Sequence, residues 1–165
     1  MEKVDFIKMH GLGNDFVIID NRVNNIEISK NIISKLSDRK SGAGCDQLIT
    51  INNSGIADIQ AKIEIFNPNG DRAEACGNGT RCVAKLLFNE FNKNEIKILS
   101  DAGILNAKKI DGDNISVNLG KITNEWDKIP LIKNIDTLNV PLNIDGFNNG
   151  VCVNNYGSLP TCHCQ

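Results

Sequence analysis

Cys76 is the residue of this sequence whose type and position are best suited to chemistry. It opens the stretch Cys76–Thr80 (Cys-Gly-Asn-Gly-Thr), and the apolar periodicity that follows predicts a helix from about Cys76 to Phe91. The free amides and positive dipole end of such a helix stabilise a thiolate, and they also bind carboxylates. Cys76 is therefore a candidate acid/base thiol beside a candidate site for an acidic substrate. The alternative, a small buried residue in a glycine turn, stays open on these local features.

Two other cysteines and one histidine give weaker signals. Cys45 lies in a predicted loop and is interpreted as structural. Cys82 follows Cys76 by six residues, which is neither a Cys-x-x-Cys spacing nor the same helix face, so core packing is predicted. His10 is either a general base or a residue packed in a turn.

A zinc site near the end of the sequence is a further alternative. Residues 162–164 (Cys-His-Cys) and Cys152 supply suitable ligand types. Adjacent ligands fit tetrahedral geometry badly, however, and no Cys-x-x-Cys pair accompanies them. We therefore predict that the protein binds no metal.

The elements that must position Cys76 are read from hydrophobic periodicity. Ser29 is a predicted N-cap of a first helix that ends near Asp38. In the second helix, Thr80, Val83, Ala84, Leu87 and Phe91 recur at spacings of three and four. Strands are predicted at Val4–Met9, Phe16–Asp20, Gln47–Ile51, Lys62–Phe66, Glu95–Leu99, Ile104–Ile110 and Asn114–Leu119. Many strands with two helices indicate an α+β fold rather than repeating βαβ units.

Composition and charge exclude several classes of function. The 165 residues carry a net charge of −2, which provides no field for nucleic acid or for an anionic membrane. The sequence contains no apolar run long enough for a membrane helix, and its start lacks the features of a signal peptide. We therefore predict a cytoplasmic protein with reduced thiols. A homodimer is left open.

The composition changes near residue 120. Residues 121–150 contain many asparagines with weak periodicity, and residues 154–165 show no period at all. We interpret residues 1–120 as one lobe and residues 121–165 as a linker and the start of a second, with little regular packing.

Four stretches of the sequence together resemble diaminopimelate epimerase. They are residues 8–16 (Lys-Met-His-Gly-Leu-Gly-Asn-Asp-Phe), 44–47 (Gly-Cys-Asp-Gln), 66–67 (Phe-Asn) and 76–82 (Cys-Gly-Asn-Gly-Thr-Arg-Cys). Their order and spacing are also those of the family. The resemblance extends over about residues 3–153. It implies a lobe in which a curved mixed β-sheet wraps around a central helix, with a second lobe that is incomplete here.

The resemblance also implies an activity and assigns roles to residues. Members of the family interconvert LL- and meso-2,6-diaminopimelate, a precursor of lysine and of cell-wall cross-links, without a cofactor. Two cysteines face each other across the substrate α-carbon; one removes the proton and the other returns one to the opposite face. Cys76 matches the first of them. The backbone amides of Gly77 and Asn78 match the groups that hold the α-carboxylate. The matched substrate-contacting side chains are those of Asn14, Gln47 and Asn67.

The sequence departs from the family after Asn154. A Met-Gly-Asn-Pro-His-Cys run, a Glu-Arg pair and a second Cys-Gly-Ser-Gly motif are expected, and none is present. We therefore expect a truncated chain that is inactive alone. Two alternatives remain: a non-catalytic remnant, and another isomerase of the same fold, such as a proline racemase or a phenazine-biosynthesis-like enzyme.

Overall fold

The computed structural model describes residues 4–23, 26–129, 131–141, 151–156 and 159–164. By its contacts the chain divides into two compact units, Met1–Asn118 and Leu119–Gln165. Residue 130 and residues 142–150 of the predicted linker lie outside the described part.

A mixed β-sheet makes up most of the first unit. Its strands run in the spatial order β1-β2-β3-β4-β6-β7-β8, and the short β5 pairs with β4. The pairs β2/β3 and β4/β6 are parallel, and the other pairs are antiparallel. The strands are β1 (Ile7–Gly11), β2 (Asn14–Asp20), β3 (Gln47–Asn52), β4 (Ala61–Phe66), β5 (Arg72–Ala73), β6 (Glu95–Ser100), β7 (Gly103–Lys109) and β8 (Ile115–Asn118).

Two helices accompany this sheet, α1 (Lys30–Ser37) and α2 (Gly77–Phe91). Helix α2 contacts both edge strands of the sheet, β1 and β8, as well as β2, β6 and β7 between them. A single helix can reach both edges only if the sheet curls around it. The predicted α+β lobe, with a curved mixed sheet around a central helix, is therefore confirmed.

The larger of two core clusters lies between α2 and the concave side of the sheet. Val83, Ala84 and Leu87 are completely buried among isoleucines of β2, β3, β4 and β6. The helical stripe predicted from the sequence is wrong at its last residue, because Phe91 is 38% exposed and Phe88 is buried instead. The helix ends directly after Phe91, at Asn92, which adopts a left-handed backbone conformation and closes the last turn.

The second unit contains more regular structure than the sequence predicts. Strands β9 (Ile122–Thr123), β10 (Val151–Tyr156) and β11 (Leu159–Cys164) form a sheet in the order β11-β10-β9. The amide of Val153 donates to the carbonyl oxygen of Thr137 at 2.8 Å. The expectation that this stretch lacks regular packing is therefore not met. Its hairpin gives no periodic signal because Pro160 and polar residues interrupt the alternation, and Pro160 is tolerated because β11 is an edge strand.

Candidate active site

Cys76 is the N-cap of helix α2. Its backbone is extended, and its Sγ accepts a hydrogen bond from the amide of Gly79 at 3.4 Å. The carbonyl oxygen of Cys76 accepts two more, from the amide of Thr80 at 2.8 Å and from the hydroxyl of Thr80 at 2.9 Å. The structure therefore places the sulfur at the open end of the helix, in contact with its free amides.

The protonation state of Cys76 differs from the sequence-based expectation. Burial raises the pKa of the thiol above its ordinary value. The amides of Gly79 and Asn78 and the charge of Arg81 lower the pKa, but they do not outweigh the burial. The helix amides do favour the thiolate, as expected from the sequence. The expected lowering of the Cys76 pKa is nevertheless wrong, because burial raises it by more. In the free chain the sulfur carries its proton at neutral pH.

Asn14 is brought directly to this sulfur. It begins β2 immediately after the Leu12-Gly13 turn, whose two residues both have positive φ, as a two-residue hairpin requires. The Sγ of Cys76 donates to the Oδ1 of Asn14 at 3.7 Å. The Nδ2 of Asn14 donates in turn to the carboxylate of Asp46 at 3.0 Å.

Gln47 and Asn67 lie at the same end of the sheet as Asn14. Gln47 begins β3, which runs parallel to β2, and Asn67 follows the antiparallel β4, so all three side chains belong to one sheet end. The Nε2 of Gln47 donates to the Oδ1 of Asn67 at 3.1 Å. The two amides thus form a bonded pair.

The first turn of α2 packs closely against the β1–β2 hairpin. A Cβ atom on Gly11 would lie 3.3 Å from the carbonyl oxygen of Asn78, so only a glycine allows this approach without displacement. The side-chain oxygen of Asn78 accepts a hydrogen bond from Arg81. Gly77 and Asn78 are the first two residues of α2, as the sequence predicts. Their binding of a carboxylate stays a prediction.

Behind Asn14 lies a cluster of charged residues to which no sequence pattern gives a role. Asp46 accepts from Asn14, from the amide of Asp15 at 2.9 Å, and from Arg39 at 2.7 Å. The carboxylate of Asp15 accepts a hydrogen bond from Arg39 at 2.6 Å and forms an ion pair with Lys8 at 2.9 Å. Arg39 above all holds the pKa of Asp15 far below its usual range, and the amide of Asp15 lowers the pKa of Asp46. The only available signal was that Asp46 directly precedes Gln47 in one of the matched stretches.

The remaining candidate residues have separate places in the structure. Cys45 is buried and donates to the hydroxyl of Ser37 at 3.4 Å, and Cys82 is buried in the core, so the structural interpretation of both is confirmed. His10 lies exposed on β1 rather than in a turn. Within the described residues no cluster of three potential metal ligands occurs. The side chains of Cys152 and of residues 162–164 lie outside the described part, so the absence of zinc stays a prediction.

We expect Cys76 to be alkylated faster than Cys45 and Cys82 in the folded chain. Cys76 is the least buried of the three, and helix amides contact its sulfur. Iodoacetamide labelling at neutral pH, followed by peptide mass spectrometry, should give it a rate at least about tenfold higher. Faster labelling of Cys45 or Cys82 would contradict this description of the site. The same chain unfolded in denaturant serves as the control, because there the three rates should converge.

Similar solved structures define the class of fold. A probable proline racemase from Agrobacterium radiobacter K84 superposes with a TM-score of 0.68, covering 94% of this chain and 50% of that one, at 12% identity. At this identity the likeness shows a shared fold and nothing about the chemistry.

Sequence relatives then identify the family. The family model described as diaminopimelate epimerase matches residues 6–124. The diaminopimelate epimerase of Pelagibacter ubique is 43% identical over 152 residues, covering 89% of this chain and 54% of the relative. That of Rhizorhabdus wittichii is 45% identical over 141 residues, covering 85% and 48%. The chain belongs to the diaminopimelate epimerase family of isomerases, and it spans about half the length of these relatives.

Proposed function

We propose that this chain is the Cys76-bearing part of an epimerase that interconverts LL- and meso-2,6-diaminopimelate in the cytoplasm, in the synthesis of lysine and peptidoglycan precursors, without pyridoxal phosphate or metal. The observation that carries the proposal is the position of the Cys76 sulfur at the start of α2, where it is hydrogen-bonded to a helix amide and to Asn14. It occurs in a chain that belongs to the diaminopimelate epimerase family. In the described part of the chain no helix is long and apolar enough to cross a membrane.

The proposed chemistry is a proton transfer between carbon and sulfur. In one direction the Cys76 thiolate takes the α-proton and becomes a thiol, leaving a carbanion stabilised by amides around the carboxylate. In the other direction the Cys76 thiol gives its proton to that carbanion. The raised pKa of Cys76 supports the second role in the free chain, where the sulfur is a proton donor. A second thiol, on the opposite face, completes the inversion.

The substrate contacts follow from the arrangement of amides. The amides of Gly77 and Asn78, at the start of α2, would hold the α-carboxylate, because a helix N-terminus binds anions. Asn14, Gln47 and Asn67 provide both donors and acceptors at the adjoining sheet end, which suits a group carrying an ammonium and a carboxylate. The Gln47–Asn67 bond supports this by holding both amides in place.

A chimera tests the proposal. Residues 1–150 are joined to the part of the Pelagibacter relative that lies beyond the aligned region. With LL-2,6-diaminopimelate in deuterated water, the chimera is expected to form the meso isomer with deuterium at the inverted carbon. Chiral chromatography with mass spectrometry measures both. Turnover of L-proline in place of diaminopimelate would favour the racemase alternative and contradict the proposal.

We also propose that residues 1–165 do not invert the substrate by themselves. Cys45 and Cys82 are buried in the core, and Cys76 can approach the α-carbon from one face only. The alternative is a non-catalytic remnant that binds a carboxylate without turnover. The chimera separates this alternative from the proposed epimerase, because a remnant would stay inactive even when joined to the missing part.

A further inference from the structure

The side-chain amide of Asn14 has two chemically different ends, and its rotation decides which of them faces Cys76. Its Nδ2 donates to Asp46 at 3.0 Å, and its Oδ1 lies 3.7 Å from the Cys76 sulfur, which donates to it. Rotating the amide by half a turn would exchange the two atoms. The sulfur would then face a hydrogen-bond donor instead of an acceptor.

Asp46 determines the orientation. An ionised carboxylate only accepts hydrogen bonds, so it must face the NH2 end of the Asn14 amide. Three donors hold this carboxylate: the amide of Asp15, Asn14, and the guanidinium of Arg39. The resulting fall in the pKa of Asp46 keeps it ionised at neutral pH. The oxygen end of Asn14 is therefore left for Cys76.

The geometry points to Asp46 as a positioning residue, which holds the Asn14 amide with its oxygen toward Cys76 and thereby shifts that sulfur toward its protonated form. An acceptor beside the sulfur stabilises the thiol and disfavours the thiolate, whereas a donor would do the reverse. The catalytic meaning rests on the proposed function: Asp46 would keep Cys76 ready to donate a proton before substrate enters. The effect on the thiol itself can be measured without substrate.

The other charged groups around Cys76 do not replace this effect. On α2 itself, Arg81 favours the thiolate, and the nearby Cys82 is a buried thiol. On the hairpin and the loop before β3, Asp15 and Asp46 are matched by Lys8 and Arg39. The two anions and two cations cancel, so Asp46 acts on the sulfur through Asn14 rather than as a free charge.

The test measures the rate of Cys76 alkylation from pH 6 to 10 on the 165-residue chain. Asp46→Ala frees the Asn14 amide to donate to the thiolate, so the rate at pH 7 should rise about five- to tenfold, with the titration midpoint moved to lower pH by up to about one unit. Asp15→Asn is the matched control. It removes a charge from the same cluster but leaves the Asn14–Asp46 bond, so the rate should change less than about twofold.

A double-mutant cycle decides whether the effect passes through Asn14. In the Asn14→Ala background, Asp46→Ala should change the rate by less than about twofold. An equal change in both backgrounds would overturn the proposal, because Asp46 would then act directly as a charge. If Asp46→Ala fails to fold by circular dichroism, Asp46→Leu, which is similar in size and has no acceptor atom, should still lower the midpoint, and an unchanged midpoint there would also overturn the proposal. If the chimera is inactive, the proposed function fails, but the effect of Asp46 on the Cys76 thiol is still tested by these alkylation rates.

Discussion

Incubated with LL-2,6-diaminopimelate in deuterated water, a chain of residues 1–165 is expected to form no meso isomer above the uncatalysed background. Inversion needs one proton acceptor and one donor on opposite faces of the α-carbon. The described residues place a single thiol, that of Cys76, in the site, while Cys45 and Cys82 are buried. Without groups on the opposite face, part of the preorganised stabilisation of the carbanion is also lost. Chiral chromatography over several days gives the measurement.

The completed chimera provides the matched comparison for this result. It should be active, and Cys76→Ala within it should lower turnover by at least about 10³-fold, since the loss removes the acid/base group on one face of the α-carbon. Cys82→Ala is the control, because it removes a thiol that is buried in the core. Rapid formation of the meso isomer by the homogeneous 165-residue chain would contradict the expectation. It would mean that a second copy, or a group such as His10, supplies the other proton.

Local signals were sufficient for the elements that carry the site. The start of α2 was predictable because Cys76 precedes two glycines and a periodic apolar run, and the structure makes it the N-cap. Ser29 was predictable for the same reason, and its side chain accepts from the amide of Ile32. Strand β4 alternates buried and half-buried residues from end to end, so its period of two is visible in the sequence.

Features that depend on distant residues were not predictable in the same way. The pKa of Cys76 is raised by the burial that the curled sheet creates, and no local pattern encodes that burial. Asp46 reaches Asn14 across 32 residues of sequence, and the link appears only when β2 and β3 pair. The end of α2 at Phe91 was predicted correctly, but Phe91 was wrongly assigned to the buried stripe: it is the last residue of the helix, the left-handed Asn92 turns the chain directly after it, and it remains 38% exposed.

The loop that carries Asp46 depends on close packing against α1. The amides of Gly42, Gly44 and Cys45 donate to the carbonyl oxygens of Asp38, Leu36 and Ser37, respectively. These bonds satisfy carbonyl groups at the end of the helix that would otherwise lack partners. The loop then leads directly to Asp46, whose amide donates to the carbonyl oxygen of Asp15 at 3.0 Å. A substitution that displaces this loop should therefore also displace Asp46 from Asn14.

Gly42→Ala is expected to lower the free energy of unfolding by about 3 kcal/mol, because the added methyl group overlaps backbone atoms that cannot rotate away. A Cβ atom at this position would lie 2.7 Å from the carbonyl oxygen of Leu36 and closer still to that of Lys35. Gly55→Ala is the matched control: its φ of +67° strains an alanine, but nothing lies within 4 Å. That change should cost about 1 kcal/mol. Urea unfolding followed by circular dichroism measures both, and equal losses would show that the loop moves freely. Because the displaced loop also withdraws Asp46 from Asn14, Gly42→Ala should speed the alkylation of Cys76, whereas Gly55→Ala should not.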